Sequence, residues 1–160
     1  MQESLSPIDR RILRLLQHNA DLSAAEIAEK VELSQSPCWR RIHRMQEEGL
    51  IERKVALLNP KKLGLGITVF VDIKLSAHGR SNLEEFEQAV VGYPQVLECH
   101  TMAGGSDYLL KVVARDIADY ERFLREKIYR LPGLRQSRTT FGLRTLKRAI
   151  SVDPLQIAPV

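Results

Sequence analysis

At 160 residues, with 44% apolar and 28% charged side chains, the chain has the composition of a soluble globular protein and room for one ordinary domain or two small ones. No apolar run approaches the ~18 residues that a membrane span needs. The start Met1-Gln-Glu-Ser-Leu-Ser6 lacks the basic beginning and apolar middle of a secretion signal, so a cytoplasmic location is expected.

The distribution of charge says more than its total of +4, which permits an anionic partner without demanding one. Residues 1–58 hold nine Lys/Arg against nine Asp/Glu and are neutral as a stretch, while residues 115–148 hold ten against four, a local +6. A case for nucleic acid must therefore rest on where individual charges sit. Cys38 and Cys99 stand far apart outside any Cys-x-x-Cys pair, and His18, His43, His78 and His100 show no ligand spacing. Neither a disulfide nor a metal site is expected.

Ser6-Pro7-Ile8-Asp9 predicts a helix start: Ser6 can cap, Pro7 fits the first helical position, and Asp9 suits the positive dipole end. Ile8, Ile12, Leu15 and Leu16 continue it at helical spacing until Asn19-Ala-Asp21, as one buried stripe requires. Ser23-Ala-Ala-Glu26 is a capping-box pattern opening a short second helix with Ile27, Ala28 and Val31 inward. Glu32-Leu33-Ser34 reads as a turn, and Ser34 or Ser36 caps a third helix that runs to Glu48-Gly49. Leu50 to Leu58 is partly alternating and predicts a strand or hairpin arm, a possible wing. Asn59-Pro60 to Gly64-Leu-Gly66 is turn-rich and reads as a linker.

The rest alternates between strand and helix. Ile67, Val69, Val71, Ile73 and Leu75 predict a strand, and Leu83, Phe86, Val90 and Tyr93 a helical face. Val96 to Ala103 and Asp107 to Arg115 predict a hairpin turning at Gly104-Gly105-Ser106. Ile117, Tyr120, Leu124, Ile128 and Leu131 define another helix, stopped by Pro132-Gly133. Leu134 to Leu143 closes the set, with a further strand conceivable over 144–152. The order βαββαβ predicts an antiparallel sheet with helices on one face, ferredoxin-like, following the helix-turn-helix in an α+β chain. The expected divisions are 1–58, a linker 59–66, and 67–152. The bare sheet face calls for a second copy as cover, and a solvated monomer is the alternative.

In the third helix Cys38, Ile42 and Met45 form the inward stripe, which turns Ser36, Arg40, His43 and Glu47 outward with Trp39 and Arg44 beside them. Residues 34–46 contain three arginines and no acid. That pattern suits a helix entering an anionic groove, where guanidinium forks meet guanine edges or phosphates, Gln35 meets adenine, and Ser36 meets a phosphate. The plain alternative is a solvated helix whose arginines pair with Glu47 and Glu48, with Trp39 packed sideways on the first helix.

These residues carry a resemblance. Ile8-Asp9-Arg10-Arg11-Ile12-Leu13 and Leu33-Ser34-Gln35-Ser36-Pro37-Cys38-Trp39-Arg40-Arg41-Ile42 resemble the helix-turn-helix of the Lrp/AsnC regulators. Val55-Ala-Leu-Leu-Asn59-Pro60, Glu98-Cys99-His100, Gly104 through Asp107-Tyr108-Leu109-Leu110, and Leu131-Pro132-Gly133 extend it over residues 6 to 150. The resemblance implies a transcription regulator that reads double-stranded DNA through Ser34, Gln35, Ser36, Trp39, Arg40, Arg41, His43 and Arg44. It implies dimers assembling to tetramers or octamers, nucleoid association, and no cofactor beyond an amino-acid effector bound between subunits. By position the effector residues are Met102, Gly104, Gly105, Ser106, Asp107 and Tyr108, with Thr140, Phe141 and Gly142 of a facing strand. The chemistry agrees: an amino acid needs an acceptor such as Asp107 for its ammonium and backbone N–H donors, which a glycine turn exposes. Family members often carry an acidic or larger polar residue where Gly105 stands, and the Cys38-Trp39 pair is similar to a subgroup tied to sulfur amino acids.

Other classes have less support. The +6 stretch suits an architectural DNA-wrapping protein. No assembled nucleophile, base and acid marks an enzyme, since Gly64-Leu-Gly66 precedes a strand and Ser106 lacks spaced partners. The strands lack the basic-aromatic pattern of an RNA-binding sheet.

Overall fold

The computed structural model describes residues 5–76, 80–148 and Val152. The chain divides into two compact units: Leu58–Leu146 form one, and the described residues before Leu58 and after Leu146 belong to the other.

The first unit is three helices, α1 (Pro7–His18), α2 (Ala24–Lys30) and α3 (Gln35–Glu47). The Ser6 side chain caps α1 by accepting from the Asp9 N–H at 3.2 Å. The predicted capping box opens α2, with Ser23 Oγ accepting from the Glu26 N–H and Glu26 accepting from the Ser23 N–H. Between α2 and α3 the chain reverses through Glu32, whose φ of 59° is a left-handed conformation that non-glycine residues adopt at a cost. Arg11 Nη2 donates to the Lys30 carbonyl at 2.9 Å, tying α1 to the end of α2. Ile12, Leu16, Ile27, Ala28, Val31, Cys38, Ile42 and Met45 make the core, so the inward stripe expected of α3 is the observed one. Burial pushes the Cys38 thiol above its ordinary pKa, as befits a core side chain.

The expected arm at 50–58 is not a strand: no described residue there pairs with another strand, and Val55, Leu57 and Leu58 are exposed. Its alternation is real, but a strand needs a neighbouring backbone to bond, and no described strand pairs with it. Within the expected linker, Asn59 Oδ1 accepts from the Lys61 and Lys62 N–H groups and starts a short 3-10 turn at Lys61–Leu63.

The second unit contains β1 (Ile67–Leu75), α4 (Arg80–Val91), β2 (Val96–Thr101), β3 (Tyr108–Ala114), α5 (Ile117–Glu126) and β4 (Leu134–Gly142). The strands form an antiparallel sheet in the order β2-β3-β1-β4, the ferredoxin-like arrangement. Val69, Val71, Ile73 and Leu75 of β1 and Tyr108, Leu110, Val112 and Ala114 of β3 face one way. There they pack with Phe86 and Val90 of α4 and Tyr120, Phe123 and Leu124 of α5. Period-2 alternation puts one residue in two on that face. Thr68, Phe70, Asp72 and Lys74 therefore fall on the other face, with Glu98, His100, Lys111, Arg138, Thr140 and Gly142 beside them by register. That face is mixed, with apolar Phe70, Leu109 and Val113 beside charged groups paired as Glu98–Lys111 at 2.6 Å and Asp72–Arg138 at 3.1 Å.

Two details refine the expectations. Ile117, one of the apolar residues that define the predicted helix, is 67% exposed, as the first residue of α5. Residues 143–148 form no strand, and the remainder of the conceivable strand, 149–151, lies outside the described residues, as does His78.

Candidate DNA-reading helix and effector cleft

The outer face of α3 is built by the capping and packing of the two helices before it. Ser34 is the N-cap, yet its hydroxyl makes no capping hydrogen bond. Ser34, Gln35, Ser36, Trp39, Arg40 and His43 are all exposed. Trp39 is 54% exposed. Its ring meets His43 one turn later, with centroids 5.0 Å apart and planes at 31°, and His43 Nε2 lies 3.5 Å from Glu47 Oε1.

The three arginines differ. Arg40 has no ion-pair or hydrogen-bond partner among the described residues. Arg41 and Arg44 turn back toward α1 and share Asp9, a carboxylate only 1% exposed. Arg41 Nη1 donates to Asp9 Oδ1 and Arg44 Nη2 to Asp9 Oδ2, each at 2.9 Å. The Ser6 hydroxyl donates to the same Oδ2 at 2.6 Å, and Arg44 also lies 3.7 Å from Glu48. Burial pushes the Asp9 carboxyl up. The bonds from Ser6 and Arg41, with the Arg41 and Arg44 charges, outweigh that and hold it below the ordinary carboxylate range. Asp9 is thus a third-helix anchor that reading it as a dipole partner missed. The available signal was its position three residues before Ile12 and seven before Leu16, on the buried stripe.

The second candidate site begins at the β2–β3 connection. Met102 N donates to the Asp107 carbonyl at 2.9 Å, closing a four-residue loop in which Gly104 takes a φ of 147°, a conformation open to glycine. Asp107 closes the sheet end on both sides: its N–H donates to the Ile73 carbonyl at 2.8 Å, and its Oδ2 accepts from the Leu75 N–H at 2.7 Å. Ser106 Oγ donates to Asp72 Oδ1 at 3.2 Å. Arg138 donates to Asp72 Oδ2 through both Nε and Nη2, each at 3.1 Å. Asp72, Ile73, Lys74, Gly105, Ser106, Gln136 and Arg138 line an open cleft of about 170 Å³.

The cleft gathers some expected residues and not others. Gly105 and Ser106 line it, and Met102, Gly104 and Asp107 stand in or beside the same loop. Tyr108 faces away. It is buried against Phe86, ring centroids 4.6 Å apart, and donates its hydroxyl to Glu87 Oε1 at 2.7 Å. Burial and that carboxylate push its pKa up to about 12. Phe141 is on the helix-covered side, its ring 5.7 Å from that of Tyr120. Thr140 and Gly142 are on the cleft's side, but Thr140 is four residues along β4 from Gln136, about 13 Å at strand rise. Gly142 is where the Phe70 ring passes: a Cβ there would lie 3.5 Å from Phe70 Cε2 and 3.2 Å from the Thr68 carbonyl. One chain therefore does not bring Thr140, Phe141 and Gly142 to the loop. The expected list omitted Asp72, Lys74, Gln136 and Arg138, although strict alternation along β1 already turned Asp72 and Lys74 away from the core. Among the described residues no cluster of His, Cys, Asp and Glu could hold a metal ion, and no described helix is long and apolar enough to cross a membrane.

Comparison with known proteins bears on both sites. Residues 5–52 match the family model described as winged helix-turn-helix DNA-binding, and residues 68–152 match the Lrp/AsnC ligand binding domain. The glutamate uptake regulatory protein of Zymomonas mobilis is 40% identical over 93% of this chain and 90% of its own. The leucine-responsive regulatory protein of Escherichia coli is 37% identical over 92% of this chain and 90% of its own. A crystal structure of a transcriptional regulator from Neisseria meningitidis in complex with L-Met is 30% identical, covers 92% of this chain and 96% of its own, and superposes with a TM-score of 0.89.

Proposed function

The chain belongs to the Lrp/AsnC family of transcriptional regulators, carrying its DNA-binding helix-turn-helix and its amino-acid-binding domain, and from this we propose that it reads a specific operator with the outer face of α3 and is tuned by an amino acid held at the Ser106 loop. It is a regulator and not an enzyme, and the architectural reading is not favoured by its relatives. The observation that carries the proposal is the make-up of α3: an exposed run of Ser34, Gln35, Ser36, Trp39, Arg40 and His43 with no acid before Glu47. Such a face offers donors to base edges and phosphates. Arg41 and Arg44 contribute through whatever donors their bonds to Asp9 leave.

For the effector we infer a site that two subunits complete. An enclosed small-molecule site runs to roughly 300–1,000 Å³, whereas the Asp72–Ser106–Arg138 cleft is about 170 Å³ and open. Met102, Gly104, Gly105, Ser106 and Asp107 of one subunit would form one wall. Thr140, Phe141 and Gly142 of another would form the facing wall, which accounts for their distance from the loop within one chain. Tyr108 supports this site from the core side. The L-Met complex of the Neisseria relative makes sulfur amino acids the first effectors to try. The same reading makes the protein a homodimer that assembles to a tetramer or octamer, and makes residues 1–58, 59–66 and 67–152 its reading head, linker and sensor. It places the protein with DNA in the cytoplasm, at the nucleoid.

The test is binding to duplexes tiled across the gene's own upstream region, beside scrambled duplexes, at two salt concentrations, with and without a pool of amino acids. Saturable, sequence-dependent binding that the pool alters is the expected outcome. Equal and steeply salt-dependent binding to every duplex would instead favour DNA wrapping, and sedimentation as a monomer at micromolar protein would remove the shared effector site.

A further inference from the structure

The exposed face of α3 carries polar groups at its first turn and a cation at Arg40, but its largest side chain is apolar. Trp39 is 54% exposed, the one large apolar side chain of α3 that water reaches. A single exposed apolar side chain is ordinary on a protein surface; what singles out Trp39 is its place on the exposed face of α3, among Gln35, Ser36, Arg40 and His43. The flanking residues state which kind of contact. From Ser34 to Gln46 there are arginines and no acid, so the partner is anionic. Ser34, Gln35, Ser36 and Arg40 supply hydrogen-bonding groups suited to the donors and acceptors that a major groove presents. The one apolar feature of that groove is the C5-methyl of thymine.

We propose that Trp39, with its ring held by His43, reads a thymine methyl in the operator. This rests on α3 being the reading helix. His43 stands one turn below Trp39, its ring 5.0 Å away and tilted by 31°, a neighbour that narrows the orientations open to the indole. Preorganisation of this kind lowers the entropy lost when the ring is fixed against a base. His43 is a positioning residue in this arrangement, itself 3.5 Å from Glu47 Oε1. The indole Nε1–H has no acceptor among the described residues, so the ring edge remains able to bond a phosphate while its face meets the methyl.

The chain contains a single tryptophan, so its fluorescence reports on this side chain alone. With the duplex found to bind best, each thymine is replaced singly by uracil, which removes only the methyl group, and affinity is measured for the wild type, Trp39→Ala and His43→Ala. At one thymine per half-site the wild type loses about threefold to tenfold, the scale of one buried methyl. Trp39→Ala binds thymine and uracil duplexes alike there, and His43→Ala shows a reduced difference at the same position. On operator binding the wild-type emission moves to shorter wavelength and becomes harder to quench with acrylamide. Since Trp39 is outside the core, Trp39→Ala keeps the wild-type melting temperature within a few degrees. A thymine profile that is flat in the wild type, or that Trp39→Ala reproduces, overturns the inference while leaving α3 as the reading helix, as does unchanged fluorescence. A wild type that binds no duplex overturns both.

Discussion

Arg40, Arg41 and Arg44 lie within five residues of one another on α3, yet they are not equivalent cations. A guanidinium has five N–H donors in a fixed fork, and what it does for a ligand depends on how many are already used. Arg40 is exposed and uses none within the described chain. Arg41 and Arg44 each give a donor to Asp9 at 2.9 Å. Arg40→Ala should therefore lower operator affinity by roughly tenfold to a hundredfold if it meets a base edge, or reduce the salt slope by about one if it meets a phosphate. Its thermal stability should be unchanged. Arg41→Ala should lower the melting temperature as well, because it strips a buried carboxylate of a partner. Measuring affinity at several salt concentrations beside a thermal melt separates these cases. Equal stability losses for the two variants would mean that Arg41 is as free in solution as Arg40.

At the scale of the elements, the same carboxylate fixes how α3 is carried by α1. Asp9 is buried, and Arg41 and Arg44 are 34% and 41% exposed. Removing one partner of a fully buried pair costs about 3–5 kcal/mol. Here both guanidiniums keep access to water, so Asp9→Asn should cost less, about 2–3 kcal/mol. The pH dependence has a definite sign. The folded carboxyl is held below its ordinary value, so between that value and the unfolded value of about 3.9 the unfolded chain binds more protons. The stabilisation is thus complete above about pH 4 and lost as pH falls through the folded pKa. Acid titration of the wild type should show this loss and Asp9→Asn should lack it; superimposable differences from pH 7 to pH 2 would show that the clamp carries no charge-dependent stability. The three helices around this clamp were legible because each begins with a capping residue and carries apolar side chains at helical spacing. The clamp itself was not, since an acid in a first turn is equally well explained by the helix dipole. The segment from Leu50 to Leu58 shows the opposite error. Alternation states which residues could share a face, whereas pairing depends on a second backbone that the local sequence does not contain. For the cleft, alternation along β1 pointed Asp72 and Lys74 away from the core, but only the register of β4 brings Gln136 and Arg138 beside them.

For the whole molecule the question is how an amino acid at the sensor unit alters a helix in a separate compact unit. Whatever the route, coupling between two binding equilibria is reciprocal. If an amino acid changes operator affinity by some factor, operator binding must change that amino acid's affinity by the same factor, typically about 5 to 150. Titrating the amino acid into protein alone and into protein saturated with operator, at one protein concentration, measures that factor independently of the DNA assay. Unequal factors would show that the amino acid acts at some other step. Asp107 offers the variant that isolates the sensor end. Its Oδ2 closes the sheet by accepting from the Leu75 N–H at 2.7 Å, so truncation to alanine would mix lost structure with lost binding. Asp107→Asn keeps an acceptor for that N–H while removing the charge that would meet an ammonium. Operator affinity without effector should stay within about twofold of wild type, and the response to the amino acid should disappear from both titrations. A variant that responds as the wild type does would leave Asp107 as the clasp at the end of β1, with the ammonium bound elsewhere in the cleft.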